Sequence, residues 1–122
     1  MAALAGGVVL VLAGCGGKKS YTLAKTRECL AGEPAVTVSR KVDFVASTAA
    51  GGALTAKLSE NQVTISFGES EDEAEQIARG YRRVHGKNIG IDDVLRPDHN
   101  AVLLWQAHPS EADIAAVNGC LR

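Results

Sequence analysis

The chain of 122 residues is poor in several things, and each shortage excludes a class of function. Aromatic residues make up 4% of it: Tyr21, Phe44, Phe67, Tyr81 and Trp105. Base-stacking platforms need several exposed rings, and these five must also serve a core, which argues against nucleic acid as a partner. Neither sign of charge predominates: 13 Lys and Arg against 14 Asp and Glu leave a net charge of −1. No global field draws in polyanions or acidic substrates. The three histidines, His85, His99 and His108, are not paired at a helical i, i+4 spacing, so no zinc pattern arises. Gly-x-Ser-x-Gly and Gly-Lys-Ser/Thr are both missing, which removes the usual nucleophile turn and phosphate loop. Asp43, Glu60, Asp92 and Asp98 have no spacing that marks an acid–base pair. No catalytic residue, metal or cofactor is therefore expected.

Long hydrophobic runs are also absent. The uncharged stretch 2–14, "AALAGGVVLVLAG", falls short of the roughly 20 residues a membrane-spanning helix needs. Its length and its small residues suit the apolar region of a secretory signal. It closes on "LAGC", Leu12 to Cys15. At this point the chain resembles a bacterial lipoprotein signal, whose lipobox is Leu, two small residues and Cys. Small residues let a peptidase grip extended backbone, and the thiolate of the cysteine takes up the diacylglyceryl group. The resemblance implies cleavage before Cys15, a thioether-linked lipid on its sulfur and acylation, for example by palmitate, of the freed amine. It implies an extracytoplasmic location, lipid-anchored to a bacterial membrane, either the cell membrane or an outer membrane.

Secretory signals normally begin with a basic segment, whereas here Lys18 and Lys19 follow the run and nothing basic precedes it. The expected explanation is a true start further upstream. The chain then divides into 1–14, a lipoprotein signal peptide truncated at its start; 15–20, the lipidated cysteine and a flexible tether; and 21–122, a single α+β domain. With Cys15 lipidated, Cys29 and Cys120 are left as a pair in a compartment where disulfides persist. A bridge between them closes a loop of roughly 90 residues, worth about 4–5 kcal/mol in the chain-entropy model and usually nearer 2–4 in practice.

Within the domain, "TLAKTRECLA" reads as a short helix stopped by Gly32, with Leu23, Thr26 and Leu30 on one face. "PAVTVSRKVDFVAS" supplies β-formers at Val36–Val38 and Val42–Val45, and "TAAGG" reads as a mobile loop. Leu54, Ala56 and Leu58 alternate with polar residues, as do Val63, Ile65 and Phe67, and "SEN" between them turns a hairpin. "SEDEAEQIARGYRRVHG" begins with a capping box of Ser70 and Glu73 and carries an apolar stripe of Ala74, Ile77, Tyr81 and Val84 up to Gly86. "NIGIDDVL" reads as a strand, "RPDHN" as a turn and Ala101–Trp105 as a buried strand. Ser110 caps a last helix with Ile114, Val117 and Leu121 facing in. The order α-β-β-β-α-β-β-α, with hairpin-type connections, predicts an α+β two-layer sandwich: a mainly antiparallel sheet with helices on one face.

Three surfaces remain as functional candidates. Arg79, Arg82 and Arg83 suit the C-terminal dipole of their helix and also offer a partner-facing or anion patch. The segment Val36–Val45 is expected at a sheet edge. Asp92, Asp93, Asp98 and His99 are the candidates for a cation or small ligand. The sequence thus predicts a small lipid-anchored, non-catalytic extracytoplasmic domain. It meets the membrane through Cys15 and acts by contact with an envelope protein. The alternative is a small-ligand or cation-binding lipoprotein.

Overall fold

Five strands form one antiparallel sheet in the order β1 (Thr37–Ser39), β2 (Ala53–Lys57), β3 (Gln62–Phe67), β5 (Ala101–Trp105), β4 (Leu95–Asp98). A computed structural model of the chain describes residues 20–85 and 90–122, so Cys15, the signal, most of the tether and the expected helix stop at Gly86 lie outside the described residues. The elements are α1 (Leu23–Ala31), β1 (Thr37–Ser39), a 3-10 turn (Ala46–Thr48), β2 (Ala53–Lys57), β3 (Gln62–Phe67), α2 (Glu71–His85), α3 (Ile91–Val94), β4 (Leu95–Asp98), β5 (Ala101–Trp105) and α4 (Glu111–Asn118). The α+β class and the antiparallel sheet are as expected.

The alternation along β2 and β3 sends Leu54, Ala56, Val63, Ile65 and Phe67 to one face, joined there by Ala101, Leu103 and Trp105 of β5. Leu30 of α1 and Val117 of α4 cover that face. The other face is covered too: Val102 and Leu104 of β5 pack with Ala74, Ile77, Ala78 and Tyr81 of α2. The helices therefore lie on both faces rather than on one, and the molecule is three layers deep at β5 instead of two. The cause is the uninterrupted run "AVLLW", which is apolar on both sides of the pleat, as in strands buried on two faces.

The two terminal helices are stapled. Cys29 and Cys120 form a disulfide with Cα atoms 5.3 Å apart across a sequence separation of 91. Beside it, Thr22 donates its backbone N–H to the Arg122 carbonyl at 2.6 Å, and the Arg122 N–H donates to Thr26 Oγ1 at 3.2 Å. α4 starts at a full capping box, with Ser110 and Asp113 each accepting from the other's backbone N–H. At α2 the box is half made. Ser70 Oγ accepts from the Glu73 N–H, but the Glu73 carboxylate turns to the N–H groups of Glu69 and Ala50, at 2.7 and 2.8 Å.

Four local expectations are corrected. Val42–Val45 is not a strand: Asp43 Oδ1 accepts the Ala46 N–H at 2.8 Å and starts the 3-10 turn instead. "TAAGG" is not a free loop, since Gly51 N–H donates to Phe67 O and Phe67 N–H to Gly52 O, extending the hairpin. Gly52 does this at φ +89, where a side chain is disfavoured. In the described part of "NIGIDDVL", from Gly90 on, residues 91–94 form α3 and Leu95 alone belongs to a strand. The expected turn "RPDHN" shrinks to His99 and Asn100, because Arg96–Asp98 pair with β5 as an edge strand. Pro97, lacking an N–H, fits such an edge.

Candidate functional site

The apolar stripe of α2 runs through Ala74, Ile77, Ala78 and Tyr81, but Val84 is left out of the core and is 67% exposed. Phe44, in the segment that was expected to be a strand, is 81% exposed. These are the two large apolar side chains the described residues leave in solvent, and both line the same two hollows. The segment 43–48 crosses the sheet and lies against the flank of α2, with a hollow on either side of the contact. One, of about 400 Å³, is lined by Phe44, Val45, Gln76, Gly80, Arg83 and Val84, among others. The second, of about 420 Å³, is lined by Asp43, Phe44, Tyr81, Val84, His85 and Leu104, with Val45.

The crossing segment is held by one polar link. Tyr81 Oη donates to the Asp43 carboxylate at 2.8 Å, a bond across 38 residues. Burial, and after it the hydrogen bond and the charge of Asp43, push the Tyr81 hydroxyl well above its ordinary value of 10.0. Ser66 Oγ approaches the same hydroxyl, acting in the opposite sense, but is buried without closing a hydrogen bond. Because the folded-state pKa is raised, the stability this group contributes is complete below pH 10 and declines as pH rises beyond it. There the unfolded chain ionises its tyrosine and the folded one does not. Tyr81→Phe is expected to cost about 1.5 kcal/mol at pH 7, the value of a hydrogen bond to a charged group. It should also flatten the fall in melting temperature between pH 9.5 and 11. An unchanged slope in that variant would locate the alkaline sensitivity elsewhere.

Of the sequence candidates, the structure brings together Val45 from the expected edge segment and Arg83 from the basic helix end, on the first hollow. The arginine trio is divided. Arg82 turns the opposite way around α2 and pairs with Asp92 at 3.1 Å. Arg79 and Arg83 are exposed, and neither has an ion-pair partner among the described residues. The four cation candidates do not converge on one point. Asp93 meets His108 at 2.9 Å and Arg96 at 3.5 Å, while His99 lies 3.7 Å from Asp98 and 3.5 Å from Glu71. Among the described residues no three His, Cys, Asp or Glu side chains come close enough to hold a metal ion. Nor is any helix among them long and apolar enough to cross a membrane.

Sequence reasoning missed the Asp43–Tyr81 link, the exposure of Phe44 and Val84, and the buried side chain of Asn100, which bonds the backbone of Tyr21 and Gly68. Only the position of Val84 carried a signal: it follows Arg82 and Arg83 and lies at the last turn of the helix, where the stripe rotates past the edge of the sheet. No protein-family model, curated protein or solved structure matches the chain.

Proposed function

We propose that the chain is a small lipid-anchored extracytoplasmic domain that works by protein contact at a bacterial cell envelope rather than by catalysis. The anchor is a lipid on Cys15, and the contact surface is the ridge of Phe44 and Val84 with its flanking hollows. The observation that carries the contact half is the exposure of Phe44 and Val84 (81% and 67%) on the walls of the same two hollows. Scattered apolar residues are ordinary on a surface, but a pair lining two shared hollows is what an interaction site looks like. The disulfide supports an oxidising compartment. The "LAGC" motif and the uncharged run before it support the anchor.

The second reading, a small-ligand lipoprotein, draws on the second hollow, whose volume of about 420 Å³ falls in the range of ligand pockets. The anchor itself is tested by growing the host with an alkyne fatty acid. Wild-type chain takes up label and partitions with membranes, and Cys15→Ala does neither. Label retained by Cys15→Ala, or absent from wild type, removes the lipoprotein reading.

A further inference from the structure

The Phe44–Val84 ridge has a charge pattern that specifies its partner. Two carboxylates stand on its flanks, Asp43 and Glu73, and internal donors hold both. Asp43 accepts from Tyr81 Oη and the Ala46 N–H, and Glu73 from the N–H groups of Ala50 and Glu69. The cations around the ridge are not held in this way. Arg83 lines the first hollow, Arg79 lies one turn before it on α2, and Arg40 and Lys41 lead into the crossing segment, with all four exposed. None of the four has an ion-pair partner among the described residues. The surface therefore shows a bare apolar ridge, concave on both sides, with spare positive charge around it.

We infer that this ridge and its hollows receive an acidic, apolar peptide segment of another envelope protein, with aliphatic or aromatic side chains filling the hollows and Asp or Glu beside them facing Arg79, Arg83, Arg40 and Lys41. The inference rests on the contact reading above and gives the partner its chemistry. Two other occupants fit less well. A bilayer surface also combines apolar and anionic character, but it cannot fill two hollows of about 400 Å³ each. The described chain moreover begins at the opposite end of α2. Tyr21 packs edge-on against His99, 5.6 Å between ring centres, and His99 meets Glu71 in the first turn of α2. A 15-residue helix is about 22 Å long, so Tyr21 lies at the acidic end of α2 and Val84 of the ridge at the far one. A second copy of this chain offers acidic residues at Glu69, Glu71, Asp72 and Glu75, but no exposed large apolar side chain among them. Its own ridge would set Arg83 against Arg83.

The experiment is selection of binders to the full chain from a displayed library of random 16-residue peptides, followed by titration of the recovered consensus peptide. Selected sequences carry two or more Asp or Glu beside apolar residues. Phe44→Ser and Val84→Ser each weaken the consensus peptide at least tenfold, with melting temperatures within 2 °C of wild type. Arg83→Glu weakens it by a similar factor at low salt, and by less in high salt, as screening requires. Three results overturn the inference: consensus peptides without acidic residues, binding indifferent to Phe44→Ser and Val84→Ser, or no selection at all. In the last case, capture of the full chain by phosphatidylglycerol vesicles but not phosphatidylcholine vesicles, abolished by Phe44→Ser, assigns the ridge to the membrane. Concentration-dependent dimers abolished by Val84→Ser assign it to a second copy. Fatty-acid labelling of Cys15 is read separately, so a failed anchor and a failed partner chemistry are told apart.

Discussion

Reduction of the Cys29–Cys120 bridge lowers the melting temperature of the full chain by about 10–20 °C, and the double variant Cys29→Ser/Cys120→Ser melts where the reduced wild type does. The size follows from topology. The bridge joins the first and last helices across 91 positions. Closing so long a loop removes much of the unfolded chain's freedom, worth about 2–4 kcal/mol in delivered stability. For a domain of this size each kcal/mol moves the midpoint by about 4–8 °C. The packing around the bridge is apolar and does not itself require the S–S bond. Leu30, Val117 and Leu121 are buried together, and a backbone bond runs from Thr22 to Arg122. The expected product is thus a folded but weakened domain, with one cooperative transition in calorimetry. A shift under 2 °C in excess reductant would mean that the cysteines do not carry this constraint.

Asn100 is the second site of large effect. It is 3% exposed and joins three separate stretches of chain. Its Oδ1 accepts the Tyr21 N–H at 2.7 Å. Its Nδ2 donates to the carbonyls of Tyr21 and Gly68, at 2.9 and 2.8 Å. Its own carbonyl accepts the Gly68 N–H at 2.7 Å. Asn100→Ala leaves three backbone groups without their side-chain partner. At about 1 kcal/mol or more for each polar group stranded, the expected loss is about 3–4 kcal/mol. Asn100→Asp is expected to be at least as damaging at pH 7, because a carboxylate cannot donate and would face two carbonyl oxygens. Chemical denaturation of the two variants measures both losses. A loss below 1 kcal/mol for Asn100→Ala would show that water replaces the amide at no cost.

These two sites also show what the sequence discloses and what it conceals. The disulfide followed from a parity argument once Cys15 was set apart. The strands β2 and β3 followed from strict alternation, because a sheet with a covered face imposes a period of two on its own residues. α4 was legible from Ser110, whose capping bond to the Asp113 N–H spans three positions. Asn100 was not legible, since its partners lie 79 and 32 positions away and a turn asparagine looks alike whether solvated or buried. The segment 42–45 misled for the same reason. Its valines and phenylalanine favour a strand locally, but Asp43 is claimed by Tyr81 from the far side of two strands and a helix. That long-range bond releases Phe44 from the sheet and creates the candidate site. The second covered face could have been read from "AVLLW", which is too apolar for a strand with one wet side.

The central claim, that the ridge is a contact surface on an anchored domain, is tested most directly by placing a photo-reactive amino acid at position 84 of the full chain in living host cells. A contact surface there gives a discrete adduct on illumination from position 84. The adduct is lost with Phe44→Ser, lost with Cys15→Ala when the chain no longer reaches its membrane, and absent when the probe sits at Glu60 in the distant β2–β3 turn. Equal adducts from positions 84 and 60, or none from position 84 in correctly anchored protein, would contradict it.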